Sequence, residues 1–241
     1  MIKVVSCFWN ASKYIEFCVN SLLKQKDKDF EVYFIDDLSE DNSFTILQNL
    51  VENDKRFHLI KNKEKKYKLK NLDELISTFD DEDIILELDG DDFLLSNETI
   101  IDIKKEYSDN KTWLTNGSFI FSNGTPGFSS KSSPNTIRKD LFRFSHLRTW
   151  KSFLWKSIPK NYFIDVDGNY FKSAPDVAYC LPLLELSGEE HYKFLSKTYY
   201  VYNGESPYNE HKPKSSGGGF EEQERCSRVI RNLPKLNQLD Y

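Results

Sequence analysis

The feature that most constrains the fold is a regular alternation of short apolar segments with amphipathic ones near the start of the chain. Four strands are predicted there, over residues 2–7, 31–35, 57–60 and 83–88. Between them, apolar residues recur at the spacing of a helix buried on one face, as in Ile15, Cys18, Val19 and Leu22. This strand–helix series predicts βαβ crossovers and an α/β fold with a mainly parallel sheet.

The second half of the chain is less regular. Residues 113–121 and 192–202 are predicted strands, and a loop rich in Ser, Gly, Pro and Asn covers 122–136. Helices are predicted over about 147–158, over 176–186 with a kink at Pro182, and in the tail up to residue 241. Because no linker or internal repeat interrupts the sequence, we predict one domain over residues 1–241.

Charge and cysteine usage exclude several classes of protein. A net charge of -5 argues against a general nucleic-acid binder, whose surface would be basic. The four cysteines lie far apart without a CxxC pair, so no zinc site is expected. No apolar segment reaches transmembrane length and the N-terminus does not resemble a signal peptide. We therefore expect a soluble cytoplasmic protein, in the host cytoplasm if the source is viral.

Carboxylates follow two of the predicted strands. Asp36 and Asp37 come after the second strand, and Asp89, Asp91 and Asp92 come after the fourth. Each turn alone is equally well explained as an acidic helix cap, and Asp-Gly is a common turn signal. Parallel strands end at one edge of a sheet, however, so both groups should face one crevice, where ligands bind in such folds. Clustered carboxylates there suit Mg²⁺ or Mn²⁺ beside a phosphorylated substrate.

Ordered motifs make a family resemblance specific. The sequence has Trp9-Asn10, then Ser21-Leu22-Leu23-Lys24-Gln25, then Asp36-Asp37-Leu38-Ser39, and finally Leu88-Asp89-Gly90-Asp91-Asp92. In this order they resemble the inverting family-2 glycosyltransferases of GT-A fold, with the last motif similar to their DxD region. The resemblance covers about the first half of the chain. Cys7-Phe8 stands where the family often has Pro-Thr.

The resemblance implies a nucleotide-diphosphate sugar donor, a UDP-sugar above all, and a Mn²⁺ or Mg²⁺ cofactor. It places these residues around the donor: Phe8, Asp36, Asp37, Lys70, Asn71 and Asp89. Asp37 would contact the nucleobase, while Lys70 and Asn71 are equally well explained as a solvated helix start. Asp89 would face the ribose or a metal-bound water, Asp91 would coordinate the metal, and Asp92 would support it from outside.

The second half would supply the acceptor side. Asp176, at the start of a predicted helix, is the candidate base that deprotonates an acceptor hydroxyl; helix capping is the alternative. Glu185 is the reserve candidate. The resemblance also makes His211 a metal ligand and Lys212 a diphosphate contact, with residues 215–219 as a lid.

Four further residues are candidates for the acceptor site, although core packing explains the two tryptophans equally well: His146, Arg148, Trp150 and Trp155. Together the motifs predict a metal-dependent inverting glycosyltransferase acting on a glycan or other hydroxyl acceptor. Residues 1–121 would bind the donor, and residues 122–241 the acceptor. The alternatives are a nucleotidyltransferase acting on a sugar phosphate and a non-catalytic module that binds nucleotide sugars.

Overall fold

A single eight-stranded sheet organises the chain in a computed structural model that describes residues 1–209, 212 and 217–240. The strands are β1 (Ile2–Phe8), β2 (Phe30–Asp36), β3 (Phe57–Lys61), β4 (Ile84–Glu87), β5 (Phe93–Leu94), β6 (Leu114–Phe121), β7 (Arg148–Lys151) and β8 (Tyr192–Tyr202). Their order across the sheet is β3-β2-β1-β4-β7-β6-β8-β5. β1 pairs in parallel with β2 and β4, β2 with β3, and β6 with β8, whereas β7 runs antiparallel to both of its neighbours.

Helices cover both faces of the sheet. They are α1 (Ile15–Leu23), α2 (Ser43–Val51), α3 (Tyr67–Ile76), α4 (Thr99–Glu106), α5 (Ser152–Lys156), α6 (Pro175–Ser187) and α7 (Gly219–Arg231). One hydrophobic core contains side chains of α1, α2 and α4, and a second contains side chains of α3, α5, α6 and α7. The predicted α/β class with a mainly parallel, helix-flanked sheet is confirmed. Among the residues described, no helix combines the length and the apolarity needed to span a bilayer.

The predicted helix over 147–158 is wrong in its first part. Residues Arg148–Lys151 form β7, and the helix begins only at Ser152. Thr149 faces Leu86 on one side and Thr115 on the other, so β7 lies between two strands. A sequence rich in aromatic residues suits either a buried helix or a central strand, and the pairing partners decide between them.

The ends of the other predicted elements need smaller corrections. The tail is helical only to Arg231, and residues 232–240 follow without regular structure. Helix α6 continues from Pro175 to Ser187 through Pro182. Every residue of α6 except Asp176 is buried, so this helix lacks the polar face that usually identifies one in a sequence.

Gly90 brings the loop after β4 against the end of β1. A Cβ atom at position 90 would lie 2.5 Å from Cβ of Phe8, closer than two carbon atoms approach. The absence of a side chain at Gly90 therefore allows the acidic loop to lie against the carboxyl end of β1, beside the turn that follows β2.

Candidate active site

A cleft of about 240 Å³ opens at the carboxyl ends of β1, β2 and β4. It is lined by five of the residues singled out from sequence for the donor, the metal or catalysis, namely Phe8, Asp37, Asp89, Asp91 and Asp176. His146, a candidate acceptor residue, also lines it. The two acidic turns thus lie in one cleft together with Asp176, as their positions at the strand ends led us to expect.

Asp37 forms one end of the cleft. Its carboxylate accepts hydrogen bonds from Asn62 Nδ2 (2.8 Å) and from the backbone N–H groups of Lys66 (2.9 Å) and Tyr67 (3.0 Å). Lys65 Nζ lies 3.3 Å from the same carboxylate and 4.1 Å from the ring centre of Trp9. Burial acts to raise the pKa of Asp37, but these donors hold it below its ordinary value. Asp37 is therefore an ionised acceptor next to an aromatic ring and a cation.

Three other residues predicted to contact the nucleotide sugar lie behind this end of the cleft or outside it. Asp36 is fully buried and accepts a hydrogen bond from the Ser39 N–H (2.8 Å), so it shapes the turn after β2. Asn71 is buried and accepts from Asn62, the residue that also donates to Asp37. Lys70 is not among the described residues that line the cleft; its ammonium lies 3.9 Å from both Glu64 and Glu74.

The acidic loop after β4 divides into residues with different surroundings. Asp89 pairs with Lys68 Nζ at 2.6 Å, and burial raises the pKa of Asp89 to about 6. Burial also raises the pKa of Asp91. Asp92 is buried and accepts hydrogen bonds from Tyr200 Oη (2.6 Å) and the Asn203 N–H (2.7 Å). Asp92 thus joins the loop to the end of β8.

The donor set of this loop fits a divalent cation. Three carboxylates lie together with raised pKa values, and burial is the first cause for each. Lys68 pairs with one of them, Asp89, and together with Lys212 it acts to lower the pKa of Asp91, but burial outweighs both cations. Clustered hard oxygen ligands are what Mg²⁺ and Mn²⁺ select.

His146 lies beside this cluster. One of its ring nitrogens and carboxylate oxygens of Asp89 and Asp92 all lie within 4.8 Å of one another. The ring stacks on Tyr200 with centres 4.2 Å apart, and Arg148 NH2 lies 3.2 Å from its Nδ1. Burial and the Arg148 charge lower the pKa of His146 well below its ordinary value, so the imidazole is neutral.

The segment after β8 holds the remaining predicted ligands. Lys212 donates a hydrogen bond to the Gly204 carbonyl (2.8 Å) and is not among the described residues lining the cleft. His211 lies outside the described residues, as do Ser215 and Ser216 of the predicted lid. The last three lid residues are described: Gly217 lines the cleft, Gly218 precedes α7, and Gly219 is its first residue.

Asp176 lies in the first turn of α6, with about a third of its side chain exposed to the cleft. Arg148 NH1 lies 2.8 Å from its Oδ2, and Lys68 Nζ lies 4.0 Å from its Oδ1. Burial acts to raise the pKa of Asp176, but Arg148 and Lys68 hold it well below the usual range. The helix N-cap is Ala174, which makes no side-chain capping bond. Because of its two cationic neighbours, Asp176 is a paired, ionised carboxylate at the cleft surface.

The other candidates of the second half lie in the core. Trp150 and Trp155 are buried and stack with ring centres 5.7 Å apart, as expected of core residues. The reserve base, Glu185, is buried; its carboxylate accepts hydrogen bonds from Arg138 NH2 (2.8 Å) and the Leu236 N–H (3.0 Å). None of these three lies among the described residues that line the cleft.

Two residues with contacts at the centre of the site, Lys68 and Glu87, were not predicted from the sequence. Lys68 lines the cleft and pairs with Asp89, and Glu87 lies beneath it in β4. A signal for Glu87 was present, since it is a charged residue inside an otherwise apolar predicted strand. Lys68 lies in the first turn of α3 and is one of several lysines that follow β3, and nothing local distinguishes it.

Comparison with known proteins gives the family. The model of glycosyl transferase family 2 matches residues 3–170, more than half of the chain. A comparison with curated proteins gave no match.

Solved structures agree in fold. TarS of S. aureus, residues 1–349, in complex with UDP-GlcNAc is 22% identical with a TM-score of 0.70, covering 95% of this chain and 65% of that one. A second structure of TarS 1–349 is 21% identical with a TM-score of 0.68, covering 95% of this chain and 64% of that one. The mannosyltransferase PcManGT of Pyrobaculum calidifontis, in complex with GDP-Man and Mn²⁺, is 16% identical with a TM-score of 0.56, covering 83% of this chain and 56% of that one. The chain thus spans less than two thirds of the length of each.

The fold and the cleft define a GT-A-type α/β protein with an acidic cleft at the carboxyl ends of its strands. The chain belongs to glycosyl transferase family 2. The family identified from the ordered motifs is confirmed.

Proposed function

We propose that this chain is a metal-dependent, inverting glycosyltransferase that moves a sugar from a UDP-sugar to a hydroxyl group of a glycan. The observation that carries the proposal is the single cleft shared by Asp37, the acidic loop at Asp89 and Asp91, and Asp176. In this proposal residues 1–121 bind the donor and residues 122–241 contribute the acceptor side, as the sequence led us to expect.

The Asp37 end of the cleft suits uracil. The edge of uracil carries one N–H between two carbonyl oxygens, so it needs an acceptor beside a donor. Asp37 is such an acceptor, Lys65 Nζ is such a donor 3.3 Å away, and the Trp9 ring offers a stacking face. Cytosine has a lone pair where uracil has its N–H and would face the Asp37 carboxylate unfavourably. The complexes of TarS with UDP-GlcNAc and with UDP support the choice of uridine.

The acidic loop is the proposed metal site. Asp91 and Asp89 would hold Mn²⁺ or Mg²⁺, and His211 is the proposed ligand from the segment after β8. A bound divalent cation would neutralise charge on the diphosphate leaving group. The Mn²⁺ in the PcManGT complex and the cluster of three carboxylates whose pKa values burial raises support this assignment. Lys212 would meet the diphosphate from the same segment.

Asp176 is the proposed base. The acceptor oxygen bonds to the anomeric carbon as the bond from that carbon to the diphosphate oxygen breaks, and Asp176 takes the hydroxyl proton. A single displacement of this kind inverts the anomeric configuration without an enzyme nucleophile. Arg148 and Lys68 keep Asp176 ionised but weaken it as a base. Proton transfer must therefore accompany carbon–oxygen bond formation rather than precede it.

A ligand screen followed by two variants tests the proposal. Thermal-shift measurements with UDP-, GDP- and CDP-sugars, each with and without Mn²⁺, should give the largest stabilisation with a UDP-sugar and Mn²⁺. Stabilisation by none of these donors would contradict the proposal. Asp176→Asn should keep donor binding and lose transfer, whereas Asp91→Asn should lose the Mn²⁺-dependent part of binding.

The identity of the released product separates the proposal from its rivals. A glycosyltransferase releases UDP from the UDP-sugar when an acceptor is present. A nucleotidyltransferase would instead release pyrophosphate when given UTP and a sugar phosphate. A binding module would release neither product, and Asp176→Asn would then change nothing measurable.

A further inference from the structure

Glu87 lies at the centre of a buried charge cluster beneath the cleft. Its side chain is almost completely buried in β4. Lys68 Nζ lies 2.8 Å from its Oε1, and Arg148 Nε lies 2.9 Å from its Oε2. Tyr179 Oη donates a hydrogen bond to the same carboxylate at 2.6 Å. A single carboxylate therefore binds two cations and a hydroxyl group from α3, β7 and α6.

The two cations bound by Glu87 are also those that face Asp176. The forked guanidinium of Arg148 lies between the two carboxylates, with Nε 2.9 Å from Glu87 Oε2 and NH1 2.8 Å from Asp176 Oδ2. Lys68 lies within 4.0 Å of Asp176 and 2.8 Å of Glu87. Neither cation can be repositioned without changing its contact with Glu87.

Glu87 and Asp176 compete for the same two cations. Two cations, Lys68 and Arg148, serve three carboxylates, which are Glu87, Asp89 and Asp176. If Glu87 were neutral, both cations would be left to Asp89 and Asp176 alone. Arg148 would then pair more tightly with Asp176 and hold it back from an incoming hydroxyl proton.

Burial makes a purely structural role a poor explanation. An apolar side chain of similar size in a central strand commonly gives equal or greater stability than a buried ion pair. The neighbours of Glu87 in β4 are apolar, so the strand itself does not require a charge.

We propose that Glu87 is a positioning residue for sugar transfer: it holds Arg148 and Lys68 so that Asp176 stays oriented and available to take the acceptor proton. This inference rests on the proposed function. Glu87 itself lies behind the cleft and is not among the described residues that line it. Its effect must therefore act through the two cations.

The test begins with Glu87→Gln, which keeps the shape and removes the charge. We expect kcat to fall about tenfold or more while KM for the UDP-sugar and the affinity for UDP stay within about twofold. Because Glu87 acts through Asp176, the double variant with Asp176→Asn should be no slower than Asp176→Asn alone. Independent, additive losses in the double variant would overturn the proposal.

Two control variants separate positioning from stability. Glu185→Gln neutralises another buried glutamate, paired with Arg138 away from the cleft, and should lower the melting temperature without lowering the kcat of the folded protein. Tyr179→Phe removes the hydroxyl bond to Glu87 and leaves both ion pairs, so kcat should stay within about twofold. Equal losses of kcat in Glu185→Gln and Glu87→Gln would overturn the proposal.

Two further results keep the inference distinct from the proposed function. If Glu87→Gln does not fold, Arg148→Lys keeps the charge but loses the fork, and an undiminished kcat in that variant would refute the positioning role. If Asp176→Asn retains full transfer, the proposed base is wrong. If Asp176→Asn is inactive and Glu87→Gln is fully active, only the positioning role fails.

Discussion

Replacement of Gly90 by Ala tests how the acidic loop is held against β1. The new Cβ would lie 2.5 Å from Cβ and 3.3 Å from Cγ of Phe8. Carbon atoms in contact are ordinarily about 3.5–4.0 Å apart, so the loop or the end of β1 must move by roughly 1 Å. Overpacking of this kind costs about 1–3 kcal/mol.

The same movement should weaken ligand binding. Asp89 and Asp91 flank Gly90, and Phe8 lines the cleft beside them. A shift of about 1 Å between them exceeds the tolerance of a positioned site. We therefore expect Gly90→Ala to lower the free energy of unfolding and also to lower the affinity for UDP with Mn²⁺.

Two measurements check these expectations. Urea denaturation gives the change in unfolding free energy, and a loss of 1 kcal/mol should lower the melting temperature by about 2–4 °C in a chain of this size. Titration calorimetry gives the affinity for UDP in the presence of Mn²⁺. The matched control is Gly117→Ala in β6, where the nearest atom to a new Cβ lies 3.4 Å away.

The control decides how the result is interpreted. If Gly90→Ala destabilises the protein no more than Gly117→Ala does, the close approach to Phe8 does not constrain the loop. If Gly90→Ala is destabilising but binds UDP and Mn²⁺ normally, the contact supports the fold without positioning the ligands.

Three further predictions concern single groups of the cleft. Lys65→Met should weaken UDP binding about tenfold and reduce the preference for UDP over CDP, because Asp37 loses the donor beside it; unchanged affinity in calorimetry would contradict this. The pKa of Asp89 is about 6 in the folded protein without a bound ion, above its value in the unfolded chain. The folded protein therefore binds this proton more tightly, and the contribution of Asp89 to stability falls as pH rises from about 4 to 6. Because a bound cation must displace that proton, Mn²⁺ affinity should rise over the same range and level off above it, and calorimetry at pH 5, 6 and 7 would reveal a flat profile if this is wrong. Tyr200→Phe removes the hydroxyl that donates to Asp92 and should cost about 1–3 kcal/mol in urea denaturation, whereas a loss near zero would show that the bond is dispensable.

The first half of the fold was predictable because its signals are local. The periodicity of each apolar segment identifies a strand or a helix without knowledge of its neighbours. β7 was not predictable in this way, because Arg148–Lys151 is a strand only through its pairing with β4 and β6. A two-residue strand such as Phe93–Leu94 carries too little pattern to be recognised.

The site shows the same division. Asp37, Asp89 and Asp176 follow or begin regular elements, where sequence reasoning is strong. Lys68 and Lys70 are two positions apart in α3, about 200° around a helix, so they lie on opposite faces. Only the packing of α3 decides which face meets the cleft, and it brings Lys68 there while Lys70 lies near Glu64 and Glu74.

The burial of α6 also has a consequence for protein engineering. Of its 13 residues, Asp176 is the single one that lines the cleft and the single one that is not buried. A library of α6 variants would therefore change the core at twelve positions. The one remaining position, which could change selectivity, holds the proposed base. Attempts to change the proposed acceptor should instead randomise an exposed cleft residue outside α6, such as Lys172, where the chemistry can vary without disturbing the core.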